Sequence, residues 1–289
     1  MPHLIDHVDD ATQLAHCEFI ARLAEFAADN GWEVLRHVDT GGRELILRGA
    51  GYTGTEEIFI GMKTYESVEA DYYNLAVATF TGYVAGNSFE TQPGAMVMGV
   101  PCHNQRVDFW LSVNPQRIAC AMKVGTPVYE SFYLGKMLPY ARPSQYPYPM
   151  VCAGMLPSAS ATRYSDTAHD LPYKGKRANL KLRTNDGYVQ PYAYPWQNRR
   201  LCGVGIITDP SGGLVNTHLR DTGDQYPLLP VELNDNANNL WGALDGVYFV
   251  PGFNVVVEDT ITIDGVDYVV IEDVWRTGFA DYYALRLDQ

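Results

Sequence analysis

The chain has few cysteines, and their spacing excludes the usual cysteine-based architectures. There are five in 289 residues, and no two of them form a C-x-x-C pair. A zinc ribbon, a thioredoxin-like redox pair or a dense disulfide framework needs closer or paired spacing. We therefore expect small buried thiols in a protein made in a reducing cytoplasm, and these are Cys17, Cys102, Cys120, Cys152 and Cys202.

Long apolar runs are missing as well. No window approaches the roughly 18 to 20 apolar residues that a membrane span needs. The first residues, Met1 to His7, contain neither the basic nor the apolar region of an export signal. These absences predict a protein that is not exported by such a signal and makes no contact with a membrane.

Positive charge is scarce, with 21 Lys and Arg against 34 Asp and Glu and a net charge of −13. Sequence-specific DNA binding begins with the neutralisation of phosphates, so this balance argues against a DNA reader. The net charge is −7 in residues 1–150, +3 in residues 151–225 and −9 in residues 226–289. Together with the turn residues, this predicts a domain at 1–156, a loop-rich basic excursion at 157–225 and a β-rich module at 226–289.

Residues 10–140 show the pattern of an α+β domain. Asp10 with Gln13 resembles a capping box and Gly31 stands where helices often end, which predicts a helix from about Asp10 to Asn30. The apolar spacing around Tyr129–Leu138, ended by Pro139, predicts a second helix. Between the helices we expect three strand pairs: Trp32–His37 with Glu44–Arg48, Glu57–Thr64 with Ala76–Val84, and Val107–Val113 with Arg117–Val124.

The last 45 or so residues have the clearest β pattern. Asp264-Gly265 between two apolar runs is typical of a type I′ hairpin turn. The predicted strands are Val247–Val250, Thr260–Ile263, Val266–Val274 and Asp281–Leu287. The predicted fold class is therefore α+β: an N-terminal helix on a mainly antiparallel sheet with a second helix, followed by a β-rich C-terminal module.

A glycine-rich motif, Gly49 to Gly54, has the literal form G-x-G-x-x-G. A dinucleotide site requires a helix after the third glycine, whose N-terminus holds the pyrophosphate. Here a β-type run containing Glu56 and Glu57 follows instead. The motif therefore predicts a hairpin loop, and no cofactor is expected.

The other chemical motifs are equally weak. His3 and His7 have the spacing of a metal pair but lie in a terminal segment, and Cys102-His103 lacks a visible third catalytic partner. No G-x-S-x-G elbow is present. Adjacent acids, as in Glu258-Asp259 and Glu272-Asp273, point to opposite faces of a strand and make no acid–base couple by themselves. We expect no catalytic residue, no metal and no enzyme activity.

The basic excursion is a candidate contact region. The clustered cations within it are Lys174, Lys176, Arg177, Lys181, Arg183, Arg199 and Arg200. They suit either nucleic acid or the acidic surface of a protein partner, and the overall acidity favours the protein.

The segment 128–149 is rich in tyrosine and proline, which supply stiff contact area at a small cost in entropy. An ordinary core helix followed by a polyproline-type loop accounts for the segment equally well. The alternative is a subunit or partner interface, whose candidate residues, with the paired arginines, are Tyr129, Phe132, Tyr133, Tyr140, Tyr146, Tyr148, Arg199 and Arg200.

Several short runs resemble virion proteins of tailed bacteriophages and prophages, and together they span most of the chain outside about residues 157–200. In the first half they are Glu44 to Gly51, Glu57 to Gly61, Asp71 to Asn74 and Thr81 to Tyr83. The middle contributes Tyr129-Glu130-Ser131, Leu138-Pro139-Tyr140 and Gln145 to Pro149. The last part contributes Asp245 to Tyr248, Pro251 to Phe253, Trp275 to Thr277 and Asp281 to Ala284.

Within that group the chain is most similar to the tail terminator, or gateway, protein of the neck. The resemblance implies an N-terminal helix on a sheet with a second helix, assembly into a hexameric ring, and neither catalytic residues nor cofactors. The implied partners are copies of the chain, the tail tube, sheath and collar or connector proteins, and genomic DNA that slides through the lumen without sequence-specific binding. The expected location is the virion, after synthesis in the host bacterial cytoplasm.

Two alternatives stay open beside the neck ring. One is a baseplate or other tail structural component with the same signature. The other is a glycan-binding or glycan-cleaving virion protein, which the 20 tyrosines suggest because aromatic rings serve as platforms for sugars.

Overall fold

The structure is a computed structural model that describes residues 3–125, 127–140, 149–175, 177–197, 228–235, 237, 239–252 and 255–287. Its strands form three antiparallel sheets. One α-helix occurs within these ranges, α1 at Ala15–Asp29, together with a short 3-10 turn at Pro172–Lys174. No helix in these ranges is long and apolar enough to cross a membrane.

Sheet I has five strands, which follow one another in chain order. They are β2 Glu33–Val38, β3 Glu44–Gly49, β4 Ile58–Ser67, β5 Tyr72–Phe80 and β6 Met96–Cys102. The predicted pairing of Trp32–His37 with Glu44–Arg48 is confirmed, as is that of Glu57–Thr64 with Ala76–Val84, with shifts of a few residues at the strand ends. Gly49 ends β3, and the chain turns and enters β4 at Ile58, so the glycine motif is a hairpin loop as predicted.

Sheet II has seven strands in the order β1-β7-β8-β9-β11-β12-β13. They are β1 His3–Val8, β7 Val107–Asn114, β8 Arg117–Val124, β9 Val128–Lys136, β11 Met150–Ala153, β12 Leu180–Thr184 and β13 Gly187–Val189. The predicted hairpin of β7 and β8 is confirmed.

Sheet III is built from the C-terminal part of the chain and two short upstream strands. Its order is β14 Tyr192–Tyr194, β15 Leu229–Asn234, β16 Leu240–Phe249, β19 Tyr282–Leu287, β18 Val266–Glu272 and β17 Thr260–Ile263, with β10 Leu138–Pro139 also paired to β16. The hairpin of β17 and β18 is confirmed, and its two turn residues, Asp264 and Gly265, have φ angles of 52° and 77°. Positive φ at both positions is what a type I′ turn requires.

Sheet II lies in the middle of the molecule, and its inner strands are covered on both faces. One face packs on α1 and sheet I through the first core, where Phe19, Leu75 and Phe109 are fully buried. The other face packs on sheet III through the second core, which contains Tyr133 and Phe249. The protein is therefore layered, with the helix inserted beside sheet I on one side of the central sheet.

The predicted α+β fold class is wrong. Residues 129–138, expected as a second helix, form β9 and the start of β10, and strands dominate the chain. The plan of a tail terminator, an N-terminal helix on a sheet with a second helix, does not describe this chain. Residues 129–138 look helical in the sequence because every residue of β9 is buried, since the strand has a core on each side. Such a strand shows no alternation of polar and apolar residues.

The predicted N-terminal helix exists but begins later than expected. Its N-cap residue is Leu14, which makes no side-chain cap, and the proposed capping box of Asp10 and Gln13 is absent. Gln13 donates instead to Glu18, at 3.2 Å. At the other end, Gly31 has a φ of 88° directly after the C-cap residue, as the sequence predicted.

The predicted excursion at 157–225 contributes to two sheets. Strands β12 and β13 join sheet II, and β14 joins sheet III. Residues 198–225 of that excursion lie outside the described ranges. The proposed domain limits stay predictions.

Candidate functional site

The predicted interface residues fall into three groups. Tyr129, Phe132 and Tyr133 lie in β9 and are at most 1% exposed. Their side chains occupy the two cores, so they are not available to a partner. Tyr140 is 53% exposed. The remaining candidates, which lie outside the described residues, are Tyr146, Tyr148, Arg199 and Arg200.

Tyr140 belongs to an exposed apolar and aromatic surface on sheet III. Its hydroxyl donates to Glu232 Oε1 at 2.7 Å, across the face of the sheet that points away from the second core. Tyr192, at 44% exposed, and Leu240, also at 44%, flank Asn234 in the pairing of β14, β15 and β16. We call this surface the outer face, and its residues are Leu138, Tyr140, Tyr192, Tyr194, Glu232, Asn234 and Leu240.

The outer face continues across the sheet toward β18. Tyr248 and Tyr268 pack edge to face there, with their ring centroids 5.4 Å apart. Tyr248 is paired with Pro230 on one side and Ala284 on the other, which places it on the same side of the sheet as Glu232. At this end the face is partly covered, because Tyr248 and Tyr268 pack against the buried Val270 and Ala284. The exposed tyrosines at the β14 end, among the described residues, form a surface that suits protein contacts.

The basic cluster of the excursion is partly used inside the chain. Lys174 is buried and contacts the carboxylates of Asp273, at 2.9 Å, and Asp281. Arg177 donates to Asp170 at 2.6 Å. Lys174 therefore holds the excursion to the C-terminal part of the chain, whereas Arg177 is paired within the excursion. Neither cation presents an unpaired charge to a partner.

A buried acid and histidine adjoin this ion network. Glu130 of β9 and His169 are both fully buried, with 3.1 Å between Glu130 Oε1 and His169 Nε2. Burial raises the pKa of Glu130 to about 7, although His169 opposes the rise. Burial lowers the pKa of His169, but Glu130 outweighs that effect and the net pKa is raised. Because both side chains are shielded from solvent, the pair has no access to a substrate.

A second buried network joins sheets II and III. Asp245 is 1% exposed and accepts hydrogen bonds from Asn114 Nδ2 at 2.7 Å, Gln116 Nε2 at 3.0 Å and Arg286 Nη2 at 2.8 Å. The fully buried Arg117 lies 3.9 Å away, measured from its Nε to Asp245 Oδ2. Burial raises the pKa of Asp245, but Arg117 and Arg286 lower it by more, so the carboxylate stays ionised. This network is structural.

Cys102 and His103, which the sequence offered only as a weak motif, do not form a catalytic arrangement. Cys102 is 1% exposed, and burial raises the pKa of its thiol to about 12. The neighbouring His103 accepts a hydrogen bond from the backbone N–H of Gln105 at 2.8 Å and packs on Tyr164. A thiol held neutral and turned into the core is not a nucleophile.

The structure shows a cysteine, histidine and glutamate group that the sequence analysis missed. His16 Nε2 is 3.8 Å from Cys17 Sγ and 3.2 Å from Glu66 Oε2. A catalytic relay uses the two different nitrogens of the histidine ring, whereas here one nitrogen faces both partners. Burial also raises the pKa of Cys17, so the group lacks an activated thiol.

No metal centre is visible among the described residues, where no group of three or more His, Cys, Asp or Glu side chains is placed to hold an ion. His3 and His7 lie in strand β1, not in a disordered tail or a helix. Four residues along a strand span about 13 Å, which is too far for one ion.

A groove of about 380 Å³ opens at the edge of sheet II. Its lining residues are Ile5, Asp6, His7, Asp108, Phe109, Trp110, Lys123 and Glu258. Glu258 has a φ of 72°, a strained value for a residue other than glycine, and its N–H bonds to Val270 O at 2.7 Å. Its carboxylate accepts hydrogen bonds from Lys123 Nζ at 2.6 Å and from the Tyr129 hydroxyl. The sequence pointed to Glu258 only as half of an acidic pair.

The family-model and curated-protein comparisons identify no relative of this chain. No protein-family model matches the chain, and no curated protein matches its sequence.

Proposed function

We propose that this protein is a non-enzymatic structural component of a tailed-bacteriophage virion that assembles by binding copies of itself. The outer face of sheet III is the observation that carries the proposal. It combines exposed tyrosines with leucines, a composition enriched in protein interfaces, and it includes Tyr140 from the run that resembles virion proteins. Several exposed apolar and aromatic side chains grouped on one face are a common mark of an interaction site.

The chemistry of the described residues agrees with a structural role. The buried cysteines have raised thiol pKa values, and the buried ion networks tie strands to one another. Neither arrangement provides an activated nucleophile or an open acid–base couple. The work of these side chains is to hold three sheets together.

A ring at the head–tail neck is the position that we propose first, and a baseplate or other tail position is the alternative. The neck proposal rests on the sequence resemblance alone, because the tail-terminator fold that it implied is absent. In such a ring the partners are further copies, tail tube, sheath and collar or connector proteins. DNA would pass through a lumen whose acidic or neutral wall does not retain phosphate, which suits a net charge of −13 per copy.

Immunogold labelling of intact particles tests location and role together. The particles are those released by cells that carry the gene, and the antibody is raised against the purified chain. Gold at the neck supports the neck ring, and gold at the tail tip supports the baseplate alternative. Particles that carry no label and lack the chain by mass spectrometry would refute the virion proposal.

A further inference from the structure

The groove beside Glu258 is formed by a mismatch in the extent of two sheets. On one face of sheet II, Trp110 and Tyr129 lie in the second core, under sheet III. Residues on the same face of the edge strand β1 are not covered, and Ile5 is 54% exposed. Sheet II therefore extends beyond sheet III, and Glu258 forms the rim where the cover ends.

The charges that line this groove are balanced by neighbours. Glu258 is paired with Lys123 at 2.6 Å, and Asp108 with Arg106 at 2.7 Å. Asp6 is paired with Arg22. Each of the three lining carboxylates is thus paired with a cation, Lys123 within the lining and Arg106 and Arg22 outside it. This pairing reduces the attraction of the groove for a free cation.

The carboxylates of Glu258 and Asp6 stay ionised and act as hydrogen-bond acceptors. Burial raises the pKa of Glu258, but the hydrogen bonds from Lys123 and Tyr129 lower it by more. The pKa of Asp6 is also lowered, since Arg22 and the His7 N–H outweigh the effect of burial. Ionised carboxylates accept hydrogen bonds from hydroxyl groups. They cannot protonate a leaving group, so the groove is suited to binding and not to cleavage.

The floor and the size of the groove further restrict the class of ligand that it can bind. Ile5, which is 54% exposed, and the small part of Trp110 that stays uncovered, 8%, provide an apolar strip next to the polar rim. A volume of about 380 Å³ lies at the lower end of the range for small-molecule sites, so it suits a small ligand or a short stretch of a longer chain. A ligand with many hydroxyl groups, one apolar face and no net charge meets all of these conditions.

We propose that the groove lined by Asp108, Trp110, Lys123 and Glu258 binds a neutral oligosaccharide. This site goes beyond the structural role, because it gives an assembled particle the ability to hold an uncharged glycan. It is separate from the outer face of sheet III, so the failure of one proposal leaves the other standing.

The test is isothermal titration calorimetry of the full chain with defined hexasaccharides. The neutral probes are cellohexaose, maltohexaose and chitohexaose, the cationic probe is fully deacetylated chitohexaose, and the anionic probe is hexagalacturonate. We expect saturable binding of at least one neutral probe and at least tenfold weaker binding of both charged probes. Preference for a charged probe, or no saturable binding to any neutral one, would overturn the proposal.

Variants tie the binding to the groove. Glu258→Gln and, independently, Asp108→Asn should each weaken the binding of the neutral probe at least tenfold. The reason is that each change removes a charged hydrogen-bond acceptor from the groove. The matched control is Glu90→Gln, since Glu90 is an exposed carboxylate paired to Lys63 at 2.7 Å far from the groove in sequence. Glu90→Gln should leave the affinity unchanged. If both groove variants, folded by circular dichroism, bind like the wild type, the assignment to this groove is wrong.

Discussion

At the scale of single residues, the buried pair of Glu130 and His169 makes stability depend on pH. The pKa of Glu130 is about 7 in the folded chain against an ordinary value of 4.5, so the folded state holds this proton more tightly than the unfolded state. His169 also has a raised pKa in the folded state. Its contribution to the free energy of unfolding is therefore present below about pH 6.5 and is lost as the pH rises through the pKa of the folded state. Both effects favour the folded state as the pH falls from 8 to 6.

We therefore predict that Glu130→Gln removes a pH-dependent part of the stability. The free energy of unfolding of the wild type, relative to the variant, should rise by about 1 kcal/mol from pH 8 to pH 6. Urea unfolding followed by tryptophan fluorescence at both pH values measures it. Glu90→Gln is the control, because the lowered pKa of that exposed carboxyl keeps it ionised throughout this range. Equal pH slopes for the wild type and Glu130→Gln would contradict the buried-proton interpretation.

Asp245 gives a second prediction at this scale. Asp245→Asn removes the buried charge that faces Arg117 and Arg286, so the attraction of both cations to this carboxylate is lost inside the protein. The expected loss of stability is about 3–5 kcal/mol, measured as a shift of the urea midpoint. Glu69→Gln, at an exposed position, should change stability by less than about 0.5 kcal/mol. A variant at Asp245 as stable as that control would show that the network is not structural.

At the scale of elements, local signals predicted the hairpins well. The turn of β17 and β18 is visible in Asp264-Gly265. Short turn segments also separate the strands of the pairs β2/β3, β4/β5 and β7/β8. Strand β9 was mistaken for a helix because Phe132 and Tyr133 are both buried, one in each core. An apolar run of this length fits a helix or a doubly buried strand, and periodicity alone does not separate them.

The type I′ turn supplies a prediction for one element. A Cβ at Gly265 would meet no atom within 4 Å, so the cost of Gly265→Ala comes only from the φ of 77°. We expect a loss of about 1 kcal/mol in the free energy of unfolding. Gly86→Ala is a matched control, since its Cβ also enters open space and its φ lies outside the left-handed region. The turn assignment fails if the two variants unfold at the same urea concentration.

At the scale of the whole molecule, the arrangement of the sheets was beyond what the sequence could predict. Short upstream strands such as Leu138–Pro139 and Tyr192–Tyr194 pair with strands about 40 to 100 residues later, and no local pattern encodes such partners. For the same reason only part of the outer face could be predicted from the sequence. Tyr140 was singled out from its local run, whereas Glu232, which accepts its hydrogen bond, and Leu240 reach the same face through sheet pairing.

The central claim is that the chain assembles through the outer face of sheet III. It predicts a mass in solution that is a multiple of the mass of one chain. A matched pair of variants separates this face from other exposed tyrosines. Tyr140→Ala combined with Tyr192→Ala removes two side chains of the face. Tyr52→Ala removes a tyrosine that is 60% exposed in the β3–β4 loop of sheet I.

Light scattering coupled to size-exclusion chromatography, run over a range of concentrations, tests this claim most directly. The wild type and Tyr52→Ala should elute with a mass several times 32.2 kDa, and the double variant should shift towards a single chain. A wild-type chain that stays at 32.2 kDa at every concentration, or a double variant with unchanged mass, would contradict the account.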